Sequence, residues 1–166
     1  MQFTFRQIFP KDQPEVMAVF KRAAVKIHKK NVDHWQYWHN PPQEKLDWLE
    51  EGLRNKEYFF IENETGTRIG MVRILDEDLL YWGQQSEKAK YVHSLVVEDA
   101  YNGQGLGAKI LEAIATQAKA QGCRYLRLDA DARNPRLCRY YEALGFEHVG
   151  QKELTISSYN LYQREL

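Results

Sequence analysis

Apolar and polar residues alternate through Phe3, Phe5 and Ile8 and predict an opening strand that Pro10 ends. Val16, Val19, Phe20, Ala23 and Ile27 then recur at the spacing of one helical face, so a helix is predicted from about Gln13 to Lys29, with Asp12, Pro14 and Glu15 resembling a capping box at its start. An aromatic connector from Asn31 to Pro42 leads to a second helix marked by Leu46, Leu49 and Leu53. Two β-rich runs, Tyr58 to Glu62 and Arg68 to Leu75, flank Asn63-Glu64-Thr65-Gly66, a hairpin signal. A long polar connection, Asp76 to Ala89, is interrupted by Leu79 to Trp82. Connections of this length often carry function.

Tyr91 to Val97 is the most strand-like segment, and its apolar end at Leu95, Val96 and Val97 predicts burial on both faces. After a glycine-rich loop, Leu106, Ile110, Leu111, Ile114 and Ala118 trace a helix that Gly122 stops, followed by a strand from Tyr125 to Asp129. Asn134 caps a short helix with Pro135 at its first position and Gly145 at its end. Phe146 to Gly150 and Thr155 to Tyr162 read as a final antiparallel pair. The predicted order is β-α-α-β-β-β-α-β-α-β-β, an α/β fold with a mixed sheet.

Composition narrows the class. The 166 residues fit a single domain over 1–166, and at this size roughly 70% of the unfolded surface can be buried. Hydrophobic residues at 43% and charged residues at 28% are ordinary for a soluble domain. Lysine plus arginine equals aspartate plus glutamate at 23 each, so no excess positive field marks a nucleic-acid partner. The basic run Lys26, Lys29 and Lys30 reads as a solvated helix face. Met1 to Asp12 lacks the apolar stretch of a signal peptide, and no segment approaches ~18 apolar residues. The expectation is a cytoplasmic protein without a membrane partner. Cys123 and Cys138 offer neither a CxxC spacing nor a zinc set, so two reduced thiols and no metal are expected.

The chemistry concentrates in Asn102-Gly103-Gln104-Gly105-Leu106-Gly107-Ala108, between a buried strand and a helix. Backbone amides there converge at the positive end of the helix and suit a phosphate or pyrophosphate, and glycine permits both positive φ and close approach of the anion. A P-loop is disfavoured because Lys109 has no hydroxyl neighbour after it. A dinucleotide fingerprint is the second alternative: Gly103, Gly105 and Ala108 formally match GxGxxA, and Asp129 ends the next strand where a ribose-binding acid would sit. Against it, five residues, Glu98 to Asn102, separate strand from glycine, and only 58 residues follow Ala108.

From Tyr91 onward the chain resembles the GNAT superfamily of acyl-coenzyme A-dependent N-acyltransferases. Leu95-Val96-Val97 and Gly105-Leu106-Gly107 match its strand and its Gln/Arg-x-x-Gly-x-Gly/Ala loop, with Asn102 standing where Gln or Arg is usual. Asn134-Pro135-Arg136-Leu137-Cys138-Arg139-Tyr140-Tyr141-Glu142-Ala143-Leu144-Gly145-Phe146 is similar to the family's Asn-to-Phe segment. The resemblance implies one GNAT-like domain with a mixed, mostly antiparallel central sheet flanked by helices. It implies acetyl-coenzyme A as cosubstrate, with Gly103 to Ala108 on the pyrophosphate. Leu95 and Val97 would offer main-chain groups to the pantetheine arm, and Asn134 would hydrogen-bond it.

The reaction so implied moves an acetyl group to a primary amine of a small molecule or protein. It needs an uncharged nitrogen, a polarised carbonyl and a proton for the departing thiolate. Tyr141 is the candidate acid, against the alternative that it only completes an apolar helix face with Leu137, Tyr140 and Leu144. His93, where the family often carries a glutamate, is the candidate base or else a structural histidine; Glu98 is a weaker base candidate. Trp35, Tyr37, Trp38 and Trp82 line the acceptor pocket or belong to the core. A non-catalytic acyl-coenzyme A sensor or partner module is the competing class, and a homodimer is one allowed assembly.

Overall fold

A computed structural model describes residues 2–166. The elements are β1 (Thr4–Gln7), α1 (Gln13–His28), α2 (Gln43–Arg54), β2 (Tyr58–Glu62), β3 (Arg68–Leu75), β4 (Ala89–Val97), α3 (Leu106–Ala120), β5 (Tyr125–Asp131), α4 (Pro135–Ala143), β6 (Glu147–Glu153) and β7 (Ser158–Glu165). Their order is the predicted one. The strands line up as β1-β2-β3-β4-β5-β7-β6. β4 and β5 pair in parallel, whereas β1–β2, β2–β3, β5–β7 and β6–β7 are antiparallel. The fold is the predicted α/β arrangement with a mixed, mostly antiparallel sheet.

Two local expectations are corrected. The last hairpin turns later than the apolar pattern predicts, because Leu154 N–H bonds the Ser157 carbonyl and closes the turn there. Asp12 does not cap α1 with its side chain; its Oδ2 accepts from Phe9 N–H at 3.1 Å, since Pro10–Asp12 forms a 3₁₀ turn that points the carboxylate backwards. The hairpin at Asn63 follows prediction, with Asn63 Oδ1 accepting from Thr65 and Thr67 N–H and Gly66 at φ 77°.

The chain forms two compact units, one of residues up to Arg73 with Ser94–Gly107, the other of Ile74–His93 with Ala108–Leu166. In the first, Val16, Val19 and Phe20 of α1 and Leu49 and Leu53 of α2 bury against Phe60, Met71 and Val96 of the strands. Burying side chains of this size stabilises by roughly 1.5–3 kcal/mol each. Arg73 is buried in the same unit. Its guanidinium pairs with Glu57 at 2.6 Å, donates to the Trp48 carbonyl at 3.1 Å and lies over the Trp48 ring at 4.0 Å.

In the second unit, α3 buries Ile110, Leu111, Ile114, Ala115 and Ala118, and Gly122 at φ 82° ends it as predicted. Alternation along β5 sends Leu126, Leu128 and Ala130 to one face and Arg127, Asp129 and Asp131 to the other. Arg127 is buried among the rings of Trp82, Tyr91 and Tyr125 at 4.9, 5.7 and 4.8 Å and donates to the Tyr91 hydroxyl. Cys123 and Cys138 are buried free thiols. Among the described residues, no helix is long and apolar enough to cross a membrane.

Candidate active site

The glycine loop opens α3 as the sequence predicts. Gly103 and Gly105 both take positive φ, 75° and 66°, and nothing lies within 4 Å of where a β-carbon on either would stand. Asn102, Gly103, Gln104 and Gly105 are exposed, whereas Leu106 turns inward and anchors the first turn of the helix. Open, left-handed glycines ahead of a helix start suit close approach of an anion to backbone amides, so these residues fit a phosphate group.

A lysine also reaches the loop. Lys26 Nζ donates to Asn102 Oδ1 at 2.5 Å and to the Val97 carbonyl at 3.2 Å, and Asp99 lies 3.5 Å away. Lys26 is therefore not the solvated residue its sequence neighbourhood suggests; α1 carries it to a loop that lies 76 residues further along the chain.

Close to this loop, β4 packs tightly against β3. A β-carbon on Gly70 would collide with the Val96 carbonyl oxygen, and Glu98 N–H bonds the Ile69 carbonyl at 2.8 Å. Glu98 thus spends its main-chain N–H on β3. Strand alternation turns the main-chain groups of Leu95 and Val97 to the opposite edge. Ser94, just before them, has φ 54°, unusual for a residue with a side chain and the mark of a local kink. Glu98 pairs with Arg22 at 3.1 Å.

His93 is buried in the second unit with a carboxylate against each ring nitrogen. Nε2 lies 2.6 Å from Asp78 Oδ2, and Nδ1 lies 3.2 Å from Asp129 Oδ2. The first is a short hydrogen bond; the second is a contact within ion-pairing distance. Asp78 is fixed in turn, its Oδ1 accepting from Tyr81 N–H at 3.2 Å, and the Tyr81 ring covers the imidazole at 4.6 Å. Asp78 carries no sequence signal in the irregular Asp76 to Ala89 connection, and Asp129 stands out in the sequence only as the strand-end acid of the dinucleotide alternative. Both ring nitrogens of His93 thus face carboxylates.

These three are also the group with a metal-ligand donor set among the described residues. One donor atom from each of the three lies within 4.8 Å of the others.

Tyr141 projects from α4, positioned by the Asn134 cap, whose Oδ1 accepts from Leu137 N–H at 3.1 Å. Its ring lies 6.0 Å from Phe146 and 6.1 Å from Tyr162. Burial pushes the phenol up from its ordinary value, and the Asp129 charge adds to the shift, so Tyr141 keeps its proton at neutral pH. Tyr140 beside it is exposed.

The tryptophans divide otherwise than an acceptor pocket requires. Trp38 is 1% exposed and stacks on Phe20 at 4.1 Å, and Trp82 is enclosed with Tyr91 and Arg127. Both are core residues, because a large ring gains more from close packing than a solvent-facing wall supplies. Trp35 is half-buried, edge-on to Phe20.

Residues 25–146 match the model of the acetyltransferase (GNAT) family. An N-acetyltransferase of Bacillus subtilis (strain 168), YesJ, is 32% identical over 90 residues, covering 54% of this chain and 48% of that protein. The thialysine N-epsilon-acetyltransferase of Bos taurus is 34% identical over 77 residues, 45% of either chain. The chain thus spans about half the length of these curated relatives. In fold, a GNAT-family acetyltransferase from Listeria monocytogenes 4b F2365 superposes with TM-score 0.78 at 22% identity, covering 99% of this chain and 95% of that one. Aminoglycoside acetyltransferase AAC(6')-Ib, solved with coenzyme A and kanamycin, gives 0.71 at 17% identity over 99% and 95%.

Proposed function

Because this chain belongs to the acetyltransferase (GNAT) family, we propose that it moves an acetyl group from acetyl-coenzyme A to a primary amine of a small molecule or protein. The observation that carries the reading is the pair of open, left-handed glycines at the start of α3. In this proposal Asn102 to Ala108 hold the pyrophosphate of the coenzyme through main-chain amides, as a helix start favours. Leu95 and Val97 offer main-chain groups to the pantetheine amides as an added strand would. Asn134, whose oxygen caps α4, offers its NH₂ group to the arm.

The amine attacks the thioester directly. Tyr141 gives its proton to the sulfur as the carbon–sulfur bond breaks, a role that suits a phenol kept protonated by burial. Relatives named for thialysine and fold neighbours named for aminoglycoside and spermidine acetylation support a small amine as the acceptor class. The reading extends to one catalytic domain over 1–166, cytoplasmic, alone or as a homodimer.

The test is incubation with acetyl-coenzyme A and a panel holding a polyamine, an amino sugar, a lysine analogue and a peptide amine, following released thiol and coenzyme A binding by calorimetry. Turnover with at least one amine is expected. No binding together with no turnover defeats the reading.

A further inference from the structure

Two acids lead directly into a loop that is offered to a diphosphate. Glu98 and Asp99 follow the end of β4, and Asn102 begins the glycine loop three residues after Asp99. Asp99 Oδ1 accepts from Asn102 Nδ2 at 3.1 Å, and the Asn102 N–H bonds the Asp99 carbonyl at 3.2 Å. A carboxylate held against the first residue of an anion-binding loop opposes the ligand unless its charge is matched, because like charges repel.

Helix α1 matches both acids. Arg22 and Lys26 stand four residues apart and so share one helix face. Arg22 Nη2 lies 3.1 Å from Glu98 Oε1, and Lys26 Nζ lies 3.5 Å from Asp99 Oδ1. The two pairs differ in strength. An ion pair as open to solvent as that of Arg22 contributes little. The Lys26 side chain is 21% exposed, whereas Lys29 and Lys30 of the same basic run are fully on the surface. Its ammonium also donates to Asn102 Oδ1 at 2.5 Å and to the Val97 carbonyl at 3.2 Å, charge-assisted bonds that exceed neutral ones in strength. An ammonium has three donors and no acceptor. Here its oxygen partners are the last residue of β4, the acid and the first residue of the loop, so one cation spans residues 97–102 from end to end.

We propose that Lys26 is a positioning residue for the diphosphate of the acyl donor: it discharges Asp99 and pins Asn102, and the grip of the glycine loop on a doubly charged group depends on it. The inference rests on the transferase reading above and adds to it a residue from outside the loop. Asp99 is the counterweight. With Lys26 in place its carboxylate is neutralised and orders the loop through Asn102; without Lys26 the same carboxylate repels the donor. Removing that charge while keeping an oxygen for Asn102, as Asp99→Asn does, therefore compensates for a missing Lys26, an outcome that lost packing alone does not produce.

The experiment is calorimetric titration with coenzyme A of wild type, Lys26→Met, Lys26→Arg, Asp99→Asn and the double variant Lys26→Met/Asp99→Asn, at ~20 mM and ~300 mM salt, a range over which the screening length shortens severalfold. Steady-state rates on the amine panel accompany it. Lys26→Met should bind coenzyme A about tenfold more weakly. The double variant should recover about threefold of that loss in low salt and less in high salt, because exposed charges are screened. Lys26→Arg should stay within about threefold of wild type, and Asp99→Asn alone should bind at least as tightly. The KM for acetyl-coenzyme A should follow these affinities while kcat at saturation changes less than about twofold. Wild-type affinity in Lys26→Met, no recovery in the double variant, or recovery indifferent to salt overturns the proposal and leaves the transferase reading intact. If the Lys26 variants do not fold, Asp99→Asn decides, since its side chain is 74% exposed; weaker binding than wild type overturns the proposal. A wild type that binds coenzyme A without turnover is judged by the titrations alone, and one that neither binds nor turns over any amine removes both readings.

Discussion

Lys26 donates to the side-chain oxygen of Asn102 at 2.5 Å, so a cation on the first helix is tied to the first residue of the glycine loop. The bond also secures Val97, whose carbonyl accepts from the same ammonium. Lys26→Met removes both contacts and keeps the aliphatic stem. Losing hydrogen bonds from a charged donor costs about 1.5–3 kcal/mol, part of which falls on loop order, so coenzyme A affinity should drop on the order of tenfold. Calorimetric titration with coenzyme A checks this, and an unchanged affinity contradicts it.

Tyr141→Phe should leave coenzyme A binding intact and reduce kcat by about 10²-fold. The ring contacts with Phe146 and Tyr162 survive the change, so melting should shift little. Equal turnover by the two proteins would remove Tyr141 from the chemistry.

Gly70 and Gly66 separate two reasons for glycine. At Gly70 a β-carbon meets the Val96 carbonyl, and Gly70→Ala should cost about 1–3 kcal/mol through overpacking. At Gly66 the surroundings are open but φ is 77°, and Gly66→Ala should cost about 1–2 kcal/mol from backbone conformation alone. Only the first should also disturb the Leu95 to Val97 edge, seen as weaker coenzyme A binding by a still-folded protein.

Arg73 is the buried charge whose loss should matter most for stability. Arg73→Leu strands Glu57 and strips the Trp48 carbonyl and ring of their partner, at about 3–5 kcal/mol. Glu57→Gln should cost less, because Glu57 is partly exposed and Arg73 keeps its other contacts. Chemical denaturation of the two variants measures the difference.

Alkaline pH should unfold the protein earlier than ordinary tyrosines would. Burial, aided by the charges of Asp131 and Asp129, pushes Tyr159 up to about 12, above the ~10 of an unfolded tyrosine. A group whose folded value is raised stabilises fully below the unfolded value and loses that contribution as pH rises towards the folded one. Stability should therefore fall between about pH 10 and 12, and Tyr159→Phe should flatten the slope in that window. A slope unaltered by the substitution would assign the loss to other groups.

What could be read from the sequence was whatever is encoded within one element or one loop. The element order followed from period and punctuation, and the glycines at 103 and 105 took the positive φ that their residue type announces. Contacts between distant segments were not legible. Lys26 reads as a surface residue because nothing in its own helix refers to Asn102. Asp78 carries no periodic signal in an irregular connection, so its bond to His93 emerges only when that connection folds over the strand. Trp38 and Trp82 show the limit from the other side, since an aromatic residue looks the same in a sequence whether it walls a pocket or fills a core.

The two cysteines, enclosed at 5% and 7% exposure, have a practical corollary. A dye that reacts with free thiols should stay colourless against the native protein and report only sulfur released from a cosubstrate. Any slow background colour would then act as a clock for transient opening of the chain around Cys123 or Cys138.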